Sequence, residues 1–191
     1  MEKPYNCPWQ AGPILTASIR KLLHNPERIL SPYVAEGKTA MDIGCGMGFF
    51  TLPMSRIVGK NGTVIAVDLQ PKMLEGLKKN ADREYAGETE ENNITLHQCA
   101  FDSLQVGKWN GTVDFALIFW MLHEVPDSES LIRELHAVLS PKGRLLFVEP
   151  MMHVSDAKFQ NSLNIMMESG FMAIYTPKIT MSRAALLVIK K

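Results

Sequence analysis

Residues 41–51 read M-D-I-G-C-G-M-G-F-F-T, and a later apolar run, V-I-A-V-D, ends at Asp68. The first stretch has the form of a short buried strand, a turn with glycine at every second place, and the start of a helix. The second has the form of a buried strand that ends on a carboxylate. Together they describe a nucleoside pocket. Backbone without side chains lets a ligand lie close at the tip of the first strand. A carboxylate at the tip of the second can accept hydrogen bonds from both hydroxyls of a ribose.

The glycine spacing narrows the ligand. Gly44, Gly46 and Gly48 give G-x-G-x-G, and the last glycine of a dinucleotide fingerprint would fall where Phe49 stands. No G-K-[ST] follows the turn, which excludes a Walker-type loop. No lysine or arginine occurs between Met41 and Ser55. The turn is poorly furnished for phosphate and suits a cofactor without phosphate groups.

The chain has 191 residues, enough for one domain with a substantial core. Its 20 basic and 20 acidic residues cancel, so no basic surplus holds a polyanion, and nucleic acid is not expected as a partner. Cys7, Cys45 and Cys99 are odd in number and lack C-x-x-C spacing, which points to reduced thiols in a cytoplasmic protein. No metal-ligand set is read, and the thiol spacing does not favour a metalloid substrate. The N-terminal residues lack an apolar secretory core, and the run 115–122 is too short to span a bilayer.

From residue 38 onward, strands and helices alternate. Strands are expected at 39–43, 63–68, 94–98, 113–120 and 144–149, with two more at 171–177 and 184–189. Helices are expected at 49–58, from Pro71, after Asp127 or Ser128, and at 156–169, the last with Phe159, Leu163, Met166 and Met167 inward. Ser140-Pro141-Lys142-Gly143 reads as the turn before the fifth strand, and 86–93 as a polar surface loop. The last two strands are too close in sequence for a parallel crossover, so they should pair antiparallel. The fold class is α/β, Rossmann-like: a mainly parallel seven-stranded sheet with one antiparallel strand near the edge and helices on both faces. Residues 1–37 read as an N-terminal helical lid, with an amphipathic helix at 14–23, ahead of a domain at 38–191.

In these segments the chain resembles the class I S-adenosylmethionine-dependent methyltransferases, in particular the small-molecule branch of ubiquinone/menaquinone and type 11 enzymes. The likeness spans residues 38–191 and rests on five ordered segments. They are D-I-G-C-G-M-G, V-D-L-Q-P-K-M-L, V-D-F-A-L-I-F-W-M-L-H-E-V-P-D, L-S-P-K-G-R-L-L-F-V-E-P, and S-G-F at 169–171. The resemblance implies S-adenosylmethionine as cofactor, S-adenosylhomocysteine as product and a small-molecule methyl acceptor. Asp42 and Gly44 would hold the methionine end, with Cys45, Gly46 and Gly48 completing the turn. Asp68 would bind the ribose, and Leu69 and Met73 would line the adenine. Ala100 and Phe101 would lie at the adenine edge, and Phe119 and Trp120 beneath the methionine portion. The family often has an acidic residue just before Ala100, where this chain has Cys99; Asp102 or a backbone carbonyl would then receive the adenine amino group.

Methyl transfer from a sulfonium is an in-line displacement, which requires a base only when the acceptor loses a proton. His123 is the first candidate and Glu124 stands beside it; Glu149 and His153 are alternatives. Tyr5, Trp9 and Trp120 could form an apolar acceptor wall. F-W-M-L-H stands where amino-methylating nucleic-acid enzymes carry [DN]-P-P-[YFW], which again favours a small acceptor. Two other readings remain open at this level: a binding protein for S-adenosylmethionine or its demethylated product, and a nicotinamide-dependent reductase. A homodimer is compatible with the chain.

Overall fold

Apolar runs of strand length, punctuated by glycine turns and amphipathic helices, favour parallel strands whose faces are covered by the intervening helices. The computed structural model describes residues 23–87 and 92–190. Its chain divides into two compact units, one ending at Cys99 and the other beginning at Ala100.

The first unit carries helix α1 (Pro26–Leu30), strand β1 (Thr39–Ile43), helix α2 (Thr51–Val58), strand β2 (Thr63–Asp68), helix α3 (Pro71–Glu84) and strand β3 (Ile94–Gln98). β1 and β2 run parallel, with Ile43 opposite Val67, and β3 joins β2 in parallel with Gln98 opposite Asp68. Every residue of β1 and β2 beyond the first is buried, as expected of strands covered on both faces. α3 begins on Pro71, whose fixed φ suits a first helical position, and buries Met73, Leu74, Leu77 and Ala81. Asn93 ties the units of this layer together locally: its Nδ2 donates to Ser55 O (3.1 Å) and Gly59 O (2.7 Å) at the end of α2.

The second unit carries β4 (Val113–Phe119), α4 (Ser128–Val138), β5 (Leu139–Pro150), α5 (Asp156–Glu168), β6 (Phe171–Tyr175) and β7 (Ser182–Ile189). β4 and β5 are parallel, with Phe119 opposite Val148. β7 runs antiparallel to both β5 and β6. Asp127 caps α4 by accepting from Ser130 N–H (2.9 Å), and Ser155 caps α5 by accepting from Lys158 N–H (3.3 Å). The seven strands take the order β3-β2-β1-β4-β5-β7-β6, so the antiparallel strand sits one place in from an edge, as the sequence indicates.

Three expectations need correction. The fifth strand begins at Leu139, ahead of the expected Arg144, because Leu139 already stands opposite Val113. Residues 140–143 are bulged out of register between that pair and Phe115↔Arg144, so the Ser-Pro-Lys-Gly segment interrupts the strand instead of preceding it. Met167 is 45% exposed while Phe159, Leu163 and Met166 are buried, since one helical stripe has room for only part of an apolar run. The 86–93 segment is not all surface loop: Asn93 is half-buried, and 88–91 lie outside the described residues. The expected helix at 14–23 lies, all but Leu23, outside them too. Among the described residues, no helix is long and apolar enough to cross a membrane.

Candidate functional site

In the first unit the glycine turn leaves the carboxyl end of β1 under backbone control. Gly44 N–H and Cys45 N–H both donate to Val67 O (2.9 and 3.0 Å), so the turn starts as a continuation of the β1–β2 ladder. Gly48 N–H then donates to Cys45 O (3.0 Å) and closes it. Two glycines serve different ends. Gly48 has φ +94°, and a Cβ there would stand 2.4 Å from Leu77 Cδ1, so its bareness lets α3 pack. Gly46 has φ +54°, and a Cβ there would meet nothing within 4 Å. That position is bare toward open space, which suits the close approach of a ligand.

Asp68, at the end of β2, is 9% exposed. Its Oδ2 accepts from Gly46 N–H (2.8 Å) and its Oδ1 from Gln70 N–H (2.9 Å). Burial pushes its carboxyl above the ordinary value, opposed by the amides of Gln70, Gly46 and Leu69. A carboxylate offers about four acceptor positions, so these three amides leave room for a ribose hydroxyl. Met73 is buried and Leu69 half-buried beside it in sequence. Asp42 is buried, and its Oδ2 accepts from Thr51 Oγ1 (2.6 Å), which ties the end of β1 to the first turn of α2. The side chain of Cys45 packs in the core with Ala66, Leu74 and Leu77, and burial holds its thiol well above the usual pKa. Sequence reasoning missed Asn80, whose Nδ2 donates to Met47 O (2.9 Å) and fastens the turn to α3; a polar residue on the inner side of an amphipathic helix was the available signal.

In the second unit the carboxyl ends of β4 and β5 bring a further group together. Phe119 is buried and the next residue, Trp120, has φ +61°, a left-handed backbone rare for a bulky residue. Trp120 N–H donates to Val148 O (2.8 Å) and its Nε1 to Ser182 Oγ (3.0 Å), which hold it there. A short 3₁₀ turn, Leu122–Glu124, follows. His123 N–H donates to Glu149 Oε1 (3.0 Å), and its Nδ1 lies 2.6 Å from Glu149 Oε2. The His123 side chain is 25% exposed and that of Glu149 only 2%. The Glu149 hydrogen bond raises the His123 pKa above 6.5 against the opposing effect of burial, with Glu124 adding in the same direction and Lys158 acting against. The His153 ring stacks on that of His123 with centroids 6.2 Å apart and planes 10° from parallel. Glu124 is half-buried, Ala100 is half-buried with its N–H on Ser103 O (2.9 Å), and Phe101 is 48% exposed. Tyr5, Trp9 and Cys7 lie outside the described residues. Among the described residues, no group of three or more His, Cys, Asp or Glu is arranged to hold a metal ion.

A family model described as a methyltransferase domain matches residues 35–184. A demethylmenaquinone methyltransferase of Lactobacillus johnsonii is 31% identical over 116 residues, which make up 61% of this chain and 45% of that protein. One from Staphylococcus epidermidis is 32% identical over 117 residues, 61% of this chain and 44% of that protein. The match therefore spans less than half the length of these curated relatives. A crystal structure of a SAM-dependent methyltransferase from Aquifex aeolicus superposes with a TM-score of 0.83 at 20% identity, covering 96% of this chain and 100% of that one.

Proposed function

The chain belongs to the methyltransferase-domain family, and on that premise we propose that it moves a methyl group from S-adenosylmethionine to a small-molecule acceptor. The observation that carries this reading is the link from Gly46 to Asp68, a bare turn and an acid tied together at the ends of neighbouring parallel strands. The residues fit the cofactor. Asp68 retains acceptor capacity for its ribose, Leu69 and Met73 offer an apolar wall for adenine, and the open side of Gly46 admits its main body. Asp42 offers its methionine end a carboxylate, and Gly44, Cys45 and Gly48 shape the turn beside it. Ala100 and Phe101 serve the adenine edge, and Phe119 and Trp120 the methionine portion. S-adenosylmethionine, when bound, supplies a methyl group already activated on a sulfonium.

The protein's own contribution is to align and to manage one proton. Alignment in well-oriented systems contributes roughly 7–11 kcal/mol. His123 takes the acceptor's proton, with the Glu149 hydrogen bond, and to a lesser degree the charge of Glu124, raising its basicity. Zero net charge and the absence of a [DN]-P-P-[YFW] segment support a small acceptor over a nucleic-acid base. Cys45 and Cys99, neither in a disulfide, suit the cytoplasm. Hydroxylated aromatic compounds and quinols are the first acceptors to try, given the demethylmenaquinone in the relatives' names.

Calorimetric titration with S-adenosylmethionine and S-adenosylhomocysteine tests the first half, and transfer of an isotopically labelled methyl group to an acceptor panel tests the second. Micromolar binding and labelled product are expected. No binding at millimolar cofactor would overturn the reading, and tight binding without transfer to any acceptor would reassign the chain as a binding protein.

A further inference from the structure

Glu149 is a buried acid at the end of the apolar run Leu145–Val148 of β5, where a charge needs a reason. Across β5–β7 it stands opposite Arg183, the obvious cation. Arg183 turns elsewhere: it pairs with Asp156 and donates to Val154 O (2.7 Å). Glu149 instead grips one residue twice, accepting the backbone N–H of His123 on Oε1 and meeting its Nδ1 on Oε2. The backbone bond fixes where the residue sits, and the side-chain bond fixes how its ring is turned. His153 stacks over the same ring and restricts its tilt.

We propose that Glu149 is a positioning residue that keeps the proton of neutral His123 on Nδ1, so that Nε2 is the atom that receives the acceptor's proton. This rests on the methyl-transfer reading above. A carboxylate 2.6 Å from Nδ1 accepts from an N–H and repels a lone pair, so it selects that tautomer. In the reaction the acceptor's O–H, N–H or C–H proton goes to Nε2, and the electron pair it leaves forms the bond to the methyl carbon. The pair of the broken carbon–sulfur bond stays on sulfur as a neutral thioether. The imidazolium, bonded to Glu149 and favoured by the charge of Glu124, then returns its proton to water, with the charge of Lys158 acting against it.

The test is nitrogen-15 NMR of the imidazole in wild type and in Glu149→Gln. Glutamine preserves an oxygen for the His123 amide but points an NH₂ group at Nδ1, which demands a lone pair there and moves the ring proton to Nε2. In wild type, the neutral ring is expected to show a protonated Nδ1, against the preference of free histidine; in E149Q it is expected to show a protonated Nε2. With an active acceptor in hand, E149Q should lose kcat on the order of 10²-fold with cofactor affinity and KM little changed. It should also move the acid limb of the pH profile downward. A protonated Nε2 in the wild-type neutral ring would overturn the assignment, and so would an E149Q spectrum with the wild-type tautomer. These spectra need no turnover, so they separate failure of this inference from failure of the methyl-transfer reading.

Discussion

Gly46 N–H donates to Asp68 Oδ2 across 2.8 Å, joining residues 22 apart in the chain. The bond exists because β1 and β2 are parallel neighbours in register from Thr39↔Thr63 to Ile43↔Val67, so their carboxyl ends finish together. It gives the turn a fixed shape and the carboxylate a fixed direction.

Removing that carboxylate should cost binding more than folding. For Asp68→Ala, S-adenosylhomocysteine affinity is expected to fall roughly 10- to 100-fold, the loss of about 1.5–3 kcal/mol carried by hydrogen bonds to a charged group. Calorimetry measures it directly. Affinity within twofold of wild type would show that the sugar lies elsewhere. In wild type, acidification should weaken binding at a higher pH than an ordinary aspartate would give, because burial raises the Asp68 pKa and its protonated form accepts less.

The two glycines should separate stability from binding. Gly48→Ala forces a methyl group to 2.4 Å from Leu77 Cδ1 at φ +94°, so backbone strain and overpacking add, and destabilisation of about 2–4 kcal/mol is expected in denaturant unfolding. Gly46→Ala adds a methyl group that meets no neighbour. It should cost about 1 kcal/mol of backbone strain while lowering cofactor affinity by more than tenfold. Equal unfolding losses in the two variants would contradict the distinction.

The His123–Glu149 pair should make stability depend on pH with a definite sign. The His123 pKa is raised in the folded protein by the Glu149 hydrogen bond. The pair's contribution is therefore fully present below the unfolded value near 6.5 and is lost as pH rises through the higher folded value. The melting-temperature gap between wild type and Glu149→Gln should be widest below the unfolded value near 6.5 and narrow as the pH rises above it. A gap that stays constant across that range would mean that the pair carries no charge-assisted bond.

Trp120 depends on Ser182 to hold its left-handed backbone. Ser182→Ala leaves the indole N–H without that acceptor, at about 1 kcal/mol. In a chain of this size that lowers Tm by roughly 2–4 °C. A change in tryptophan fluorescence should accompany it, and an unaltered emission spectrum together with an unaltered Tm would show that the bond does not form.

Much of this site could be read from the residues in order. The glycine turn, Asp68, the Pro71 helix start and the Asp127 cap depend on local chemistry, which acts over a few positions. The early start of β5 could not be read, because Leu139 pairs with Val113 across a bulge that only the neighbouring strand defines. Nor could the outward turn of Met167, which depends on how much of α5 the sheet covers. The sequence offered Glu149 as one alternative base among several. Its role as the partner of His123, 26 positions away, emerges from Phe119 lying opposite Val148, which brings the chain past β4 alongside the end of β5.

By itself, then, the chain determined the alternation of strands and helices and the type of ligand its leading turn can admit. Side-chain periodicity and backbone freedom are written residue by residue. Only the tertiary structure decided which acid faces which base, how the Gly46 amide meets Asp68, and which glycine serves packing and which serves approach. Those relations depend on strand order and register, and contacts between residues distant in sequence exist only once the sheet has set their spacing.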